Sequence, residues 1–244
     1  MKRRRIFRVL AILGTLAALA PAARAGDCHA PADLRDGDTT FPRFAARLKQ
    51  GKPITIVAIG GSATAGAAAP GQAYPQRLQQ ALARLYPKAS IRVLNKGVPH
   101  QTAAEELARF PADIIAEKPD LAIWDTGTIE AVRGFDVGAF AATLEDGLAL
   151  LRSHRIEAVL MDMQYSRRIA AVIDFDPYLN AMQRAADLGG AYFFRRFEIM
   201  RYWSDSGAFD FDEVPKADRA TLAAAVYDCL GRELAGAIAA AALP

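Results

Sequence analysis

Residues 54–66 read Ile-Thr-Ile-Val-Ala-Ile-Gly-Gly-Ser-Ala-Thr-Ala-Gly. The run 54–59 is apolar except for Thr55 and rich in β-branched side chains, which suits a strand buried on both faces. Two glycines, Ser62 and a further small-residue stretch follow at once. A glycine-rich turn running into a helix leaves backbone N–H groups free to hold an anion or an oxyanion. This turn lacks the Lys-Ser/Thr ending of a phosphate-binding loop and the spacing of a dinucleotide fingerprint. Ser62 is then either a nucleophile on a tight turn or a cap on the next helix.

Working outward, short β-rich runs alternate with longer helical patterns. Residues 74–86 carry Leu78, Leu82 and Leu85 on one helical stripe. Strands are expected at 91–94, 121–124, 158–161 and 191–194. Helices are expected at 102–110, with a continuation past Pro111 to 117, and at 137–154, 177–188 and 217–242, with a helical turn at 197–203. Strands separated by helices of this length predict a parallel five-stranded sheet with helices on both faces, a flavodoxin-like three-layer α/β/α sandwich. In such folds sites form at the carboxyl ends of the strands. The segments to examine are therefore 60–66, 95–100, 125–130 and 162–165.

The chain has 244 residues, of which 52% are hydrophobic and 23% charged, so it can bury a sizeable core and is not a disordered chain. Its formal charge of +3 suggests an anionic partner until the first 25 residues are set apart. These read as a signal peptide: Lys2, Arg3, Arg4, Arg5 and Arg8, an apolar stretch 9–20, and small residues at 23 and 25 before a cut. Arg4-Arg5-Ile6-Phe7 partly matches a twin-arginine signal. With Arg24, six of the 30 basic residues lie in this segment and no acid does, so residues 26–244 carry 24 basic and 27 acidic side chains, a net of −3. The basicity belongs to the leader, and nothing argues for nucleic acid. The apolar stretch is too short to span a bilayer, which takes roughly 20 residues. A single periplasmic or secreted domain, 26–244, without a membrane span is the expectation. Two cysteines, Cys28 and Cys229, exclude cysteine-rich metal modules, and no metal-ligand spacing is visible. In an oxidising compartment they form a disulfide or remain two buried thiols; the bond is the preferred reading.

Four segments in order, each after an expected strand, resemble the SGNH/GDSL hydrolase family. Residues 54–66 resemble its first block, Asn95-Lys96-Gly97 its second, and 119–130 (PDLAIWDTGTIE) its third, which usually ends Gly-x-Asn-Asp. The last block normally reads Asp-x-x-His shortly before a final helix. The resemblance implies strand order 2-1-3-4-5 with Ser62 beside Gly97, and acyl transfer to water without a cofactor. It makes Ser62 the nucleophile, with oxyanion donors from Ser62, Gly97 and the third-block asparagine. Two of these naming residues are missing. Ile129 stands at the asparagine position. Counting back from Tyr227-Asp228-Cys229-Leu230 places Asp218 on the acid and Thr221 on the histidine. A threonine cannot take a proton at neutral pH, and no histidine follows His154 in any register.

The chain's three histidines are His29, in the N-terminal tail, His154, at the opposite sheet edge, and His100. Only His100 falls on the edge that carries Ser62, and it is the candidate for a relocated base. Asp125 and Glu130 flank the third loop and are candidate carboxylate bases or plain loop charges. Gln164 and Tyr165 follow the fourth strand as candidate substrate contacts. Residues 195–203 carry three arginines and read as an amphipathic helix with a charged outer face. The favoured functional reading is an exported, catalytically degenerate scaffold that binds a small acyl ester, an acylated saccharide or a partner protein. The alternative is a working esterase using Ser62 with a displaced base.

Overall fold

A computed structural model describes residues 28–242 apart from 36, 38 and 213. The signal segment read from the sequence lies outside the described residues. The strands are β1 (Ile54–Gly60), β2 (Ile91–Gly97), β3 (Leu121–Asp125), β4 (Glu157–Met161) and β5 (Tyr192–Phe194). The helices are α1 (Ala32–Arg35), α2 (Pro42–Lys49), α3 (Ser62–Ala65), α4 (Tyr74–Leu85), α5 (Ala103–Ala108), α6 (Phe110–Asp113), α7 (Thr128–Arg133), α8 (Val137–Ser153), α9 (Arg167–Ala170), α10 (Asp176–Gly189), α11 (Arg196–Asp205) and α12 (Arg219–Ala241). All strand pairs are parallel, in the order β2-β1-β3-β4-β5. This is the expected α/β architecture and strand order.

Position in the sheet explains strand composition. β1 and β3 lie inside, and every residue of the two except Thr55 is buried. Edge strand β2 is partly exposed along its length and carries Arg92, Asn95 and Lys96 among its apolar residues. Helices flank the sheet: α4 packs with α12, and α8 with α5 and α10. Gly231 lets α12 approach α4, because a Cβ there would lie 2.6 Å from that of Arg77.

Several boundaries differ from the sequence reading. β2 runs on to Gly97 because parallel pairing with β1 continues through Ala58–Asn95, Ile59–Lys96 and Gly60–Gly97. The helix expected from 102 is broken. Thr102 and Glu105 form a reciprocal capping box that starts α5, which ends before Arg109; Pro111 then opens α6, since a proline fits a first turn but not a helix interior. Helix α2 had no counterpart in the sequence reading. Its first N–H groups, those of Arg43 and Phe44, donate to Glu157 Oε1 and Oε2 at 2.7 and 3.0 Å. Asp120 secures the same end of the sheet by accepting from Arg47 Nε at 2.8 Å and from the Thr55 N–H at 3.0 Å.

Cys28 and Cys229 are joined by a disulfide across a sequence separation of 201 residues. Trp203, fully buried, donates its indole N–H to the Cys28 carbonyl at 2.9 Å, so the bonded segment also carries a core contact. Closing a loop this long removes chain entropy worth about 5 kcal/mol from the unfolded state. Replacing both cysteines by alanine should therefore lower the unfolding free energy by up to about 5 kcal/mol in urea titrations. Dithiothreitol should destabilise the wild type and leave that variant unchanged.

Candidate active site

The carboxyl ends of three strands are level. Gly60 pairs with Gly97 on one side and with Asp125 on the other. The turn after β1 folds into α3, which sits directly on these ends. Glycine is required there: a Cβ at Gly60 would lie 2.5 Å from both the Asp125 carbonyl oxygen and Thr64 Oγ1, and one at Gly97 would overlap the backbone of Thr64 and Ala65. Gly66, at φ 75°, then ends the single helical turn in the left-handed region.

Side chains fix α3 from below. Thr64 Oγ1 donates to Asp125 Oδ2 at 2.7 Å, and Arg196 Nη2 lies 2.7 Å from Asp125 Oδ1. Both ionic partners are buried, at 1% exposure for Arg196 and 4% for Asp125. Asn95 adds a second tie, because its Nδ2 donates to the Thr64 carbonyl at 2.7 Å. Its Oδ1 accepts the Gly97 N–H at 2.9 Å. The N–H that the resemblance assigned to the oxyanion is thus already engaged.

Above these ties is a cavity of about 50 Å³ lined by Ser62, His100, Glu106, Asp125, Ile129 and Gln164 among others. Ser62 Oγ accepts the backbone N–H of His100 at 3.3 Å. His100 has φ 64°, in the left-handed region that non-glycine residues seldom occupy. The Ile129 side chain carries no hydrogen-bond donor. Glu106 is buried and accepts the Trp124 indole N–H at 2.8 Å; burial holds its carboxyl well above the usual carboxylate range. Asp162, at the end of β4, accepts the Phe197 N–H at 2.8 Å, and burial pushes its pKa up to about 8.

The other candidate residues are dispersed. Asp218 and Thr221 are exposed at the start of α12 and are not among the residues that line the Ser62 cavity. Because α12 begins at Arg219, Thr221 lies in its first turn. An acid-x-x-residue spacing also occurs in the preceding loop, at Asp212 and Pro215, and it too lacks a histidine. Gln164 is exposed beside the cavity, whereas Tyr165 is buried edge-on against Phe197, 5.2 Å between ring centres. Glu130 accepts the Ala103 N–H at 2.5 Å and lies outside the cavity wall. His154 ends α8, with Nδ1 3.0 Å from the Leu150 carbonyl, and His29 lies 3.6 Å from Glu233.

The sequence reading missed Thr64, Glu106 and Arg196. It put the arginines of 195–203 on an outer face, but Arg196 points inward. A signal was present: Arg196, Ile199, Met200 and Trp203 fall at i, i+3, i+4 and i+7, and all four are buried. For Glu106 the signal was Trp124, because an indole inside a central strand needs an acceptor.

A level row of strand ends, with a serine on the first tight turn and the order 2-1-3-4-5, defines an SGNH-type α/β hydrolase fold. The model of the non-GDSL lipase-like family matches residues 27–244, and the chain belongs to that family. Among solved structures, an acetylxylan esterase from Geobacillus stearothermophilus superposes with a TM-score of 0.62 at 21% identity, covering 76% of this chain and 94% of its own. A putative lipolytic protein of the G-D-S-L family from Desulfitobacterium hafniense superposes with a TM-score of 0.59 at 21% identity, covering 75% and 98%. No curated protein matches the sequence.

Two outcomes follow from the buried charges. Arg196→Met leaves the Asp125 carboxylate buried without its cation, and urea unfolding should show a loss of about 3–5 kcal/mol. For Asp162, the folded pKa of about 8 lies above the ordinary 3.8, so between those values the folded state holds a proton that the unfolded state lacks. This contribution to stability is present at low pH, declines as pH rises through that window and is flat above it. Asp162→Asn keeps an acceptor for Phe197 and removes the titration. It should match the wild type in urea unfolding only at about pH 3.8 and below, and exceed it by a margin that grows as pH rises to about 8.

Proposed function

We propose that this chain is an exported, catalytically silent member of its family, whose Ser62 cavity receives the acyl group of a small acyl ester or an acylated saccharide without cleaving it. The hydrogen bonding of Ser62 carries this reading. Among the described residues its Oγ has a single hydrogen-bond partner, the His100 backbone N–H, and that group donates. A serine nucleophile needs a base to accept its proton, and loss of that base from a serine triad costs on the order of 10⁴–10⁶ in rate. The neighbouring carboxylates do not replace it. Asp125 is held between Thr64 and Arg196, and Glu106 is committed to the Trp124 indole N–H. Ile129 and the engaged Gly97 N–H also deplete the oxyanion site, where each lost donor costs about 10²–10³ in turnover. Export is supported by the signal-like leader, the disulfide and the absence, among the described residues, of any helix long and apolar enough to cross a membrane.

A second reading has its own observation. His100 lines the cavity, contacts Ser62 through its backbone and occupies a strained conformation of the kind found at functional sites. A turn of its imidazole toward Ser62 would give a relocated base and an active esterase or deacylase.

Hydrolysis of p-nitrophenyl acetate by the purified mature protein separates the two. Wild type and Ser62→Ala should give equal rates. A wild-type rate higher by about tenfold or more would replace the silent reading with the esterase one, and His100→Ala would then have to abolish the excess.

A further inference from the structure

A second, larger cleft opens beside the Ser62 cavity. Its volume is about 370 Å³, against about 50 Å³ for the cavity, and Gln164 lines both. Its walls come from α9, α11, the loop before α12 and the first turns of α12. Apolar side chains dominate them, among them Ile169, Met200, Phe211, Leu222, Val226 and Tyr227. Such a space is of the size that takes a small organic ligand, roughly 300–1,000 Å³, whereas the Ser62 cavity admits only a few heavy atoms.

Charge on the cleft wall is specific. Arg168 and Arg219 both line it. Neither guanidinium has an ion-pair partner among the described residues; Arg219 Nε reaches only the Val214 carbonyl, at 3.4 Å. Among the described residues one acid, Asp212, lies on the wall, and it is already engaged: it accepts the Arg168 backbone N–H at 3.4 Å and lies 3.9 Å from Arg167 Nε. Two uncommitted cations beside a mainly hydrocarbon wall complement an anion that carries an alkyl chain. An uncharged saccharide would leave both guanidiniums unused and would meet few polar partners on these walls.

We propose that this cleft is the binding site of a medium-chain acyl anion, with the alkyl chain along Ile169, Leu222 and Val226 and the carboxylate on Arg168 and Arg219. The inference goes beyond the silent-binder reading: it adds a second ligand, in a cleft separate from the Ser62 cavity. Its test is independent of hydrolysis, because a free carboxylate has no ester to cleave.

Calorimetric titration of the mature protein with sodium octanoate should show saturable binding, at least about tenfold tighter than acetate because of the added buried methylenes. Ile169→Asp changes an exposed wall residue, so folding should survive, as a thermal melt would verify; octanoate affinity should fall by about tenfold or more. The double variant Arg168→Ala, Arg219→Ala, at two exposed positions, should bind octanoate no better than it binds 1-octanol. Octanoate binding that is absent, or that is untouched by Ile169→Asp, overturns the proposal. So does binding of acetylated xylobiose that Ile169→Asp weakens, which would make the occupant a saccharide. Ser62-dependent ester hydrolysis together with intact octanoate binding would remove the silent reading and leave the cleft assignment standing.

Discussion

The Asp125 carboxylate holds the upper edge of this molecule together. One oxygen takes the hydroxyl of Thr64, two residues past the serine, and the other faces the guanidinium of Arg196. Three pieces of chain distant in sequence thus converge on one buried anion: the turn after β1, the end of β3 and the start of α11. A buried pair of this kind contributes little net stability by itself, since desolvation offsets much of the attraction, but losing either member is costly. Its effect is geometric. It sets where α3 sits on the glycines of the strand ends, and so where Ser62 stands. That arrangement persists although Ile129 and Thr221 occupy the positions at which the resemblance places a donor and a base.

Burial raises the proton affinity of several acids around this point. Glu106, Glu130 and Asp162 all lie at or near strand ends, and desolvation is the leading cause of the shift in each. Desolvation thus favours the neutral form of each of these carboxyls. Among the described residues, Asp125 makes the direct ion pair with the buried Arg196, whose charge also reaches Asp162. A site that polarises a reacting carbonyl needs fixed donors or positive charge where the oxyanion forms, and here the buried positive charge faces Asp125.

The parallel sheet was readable because its signals are local. The run 54–59, the leucine stripe of 74–86 and the turn glycines each lie within one short window. What escaped the reading depends on partners far away in sequence. Helix α2 has no side-chain cap of its own at Phe41; Glu157, more than a hundred residues on, supplies the acceptors. Arg196 looked like a surface charge because Asp125, the group that lets it enter the core, is 71 residues earlier. The extension of β2 to Gly97 is likewise set by pairing with β1, not by its own polar sequence Asn95-Lys96. Ser62, Gly97 and Ile129 were located from the order of motifs, whereas the neighbouring cleft joins side chains from four separate segments and leaves no compact mark in the chain.

The covalent link between Cys28 and Cys229 makes nearly the whole folded chain one closed ring, with all five strands inside it. A protease that cuts any exposed loop within that ring opens it without releasing a fragment. The two pieces stay tethered, and the sheet is free to re-form around the break. Resistance to nicking is thus a property of the connectivity itself, separate from how firmly any one element is packed.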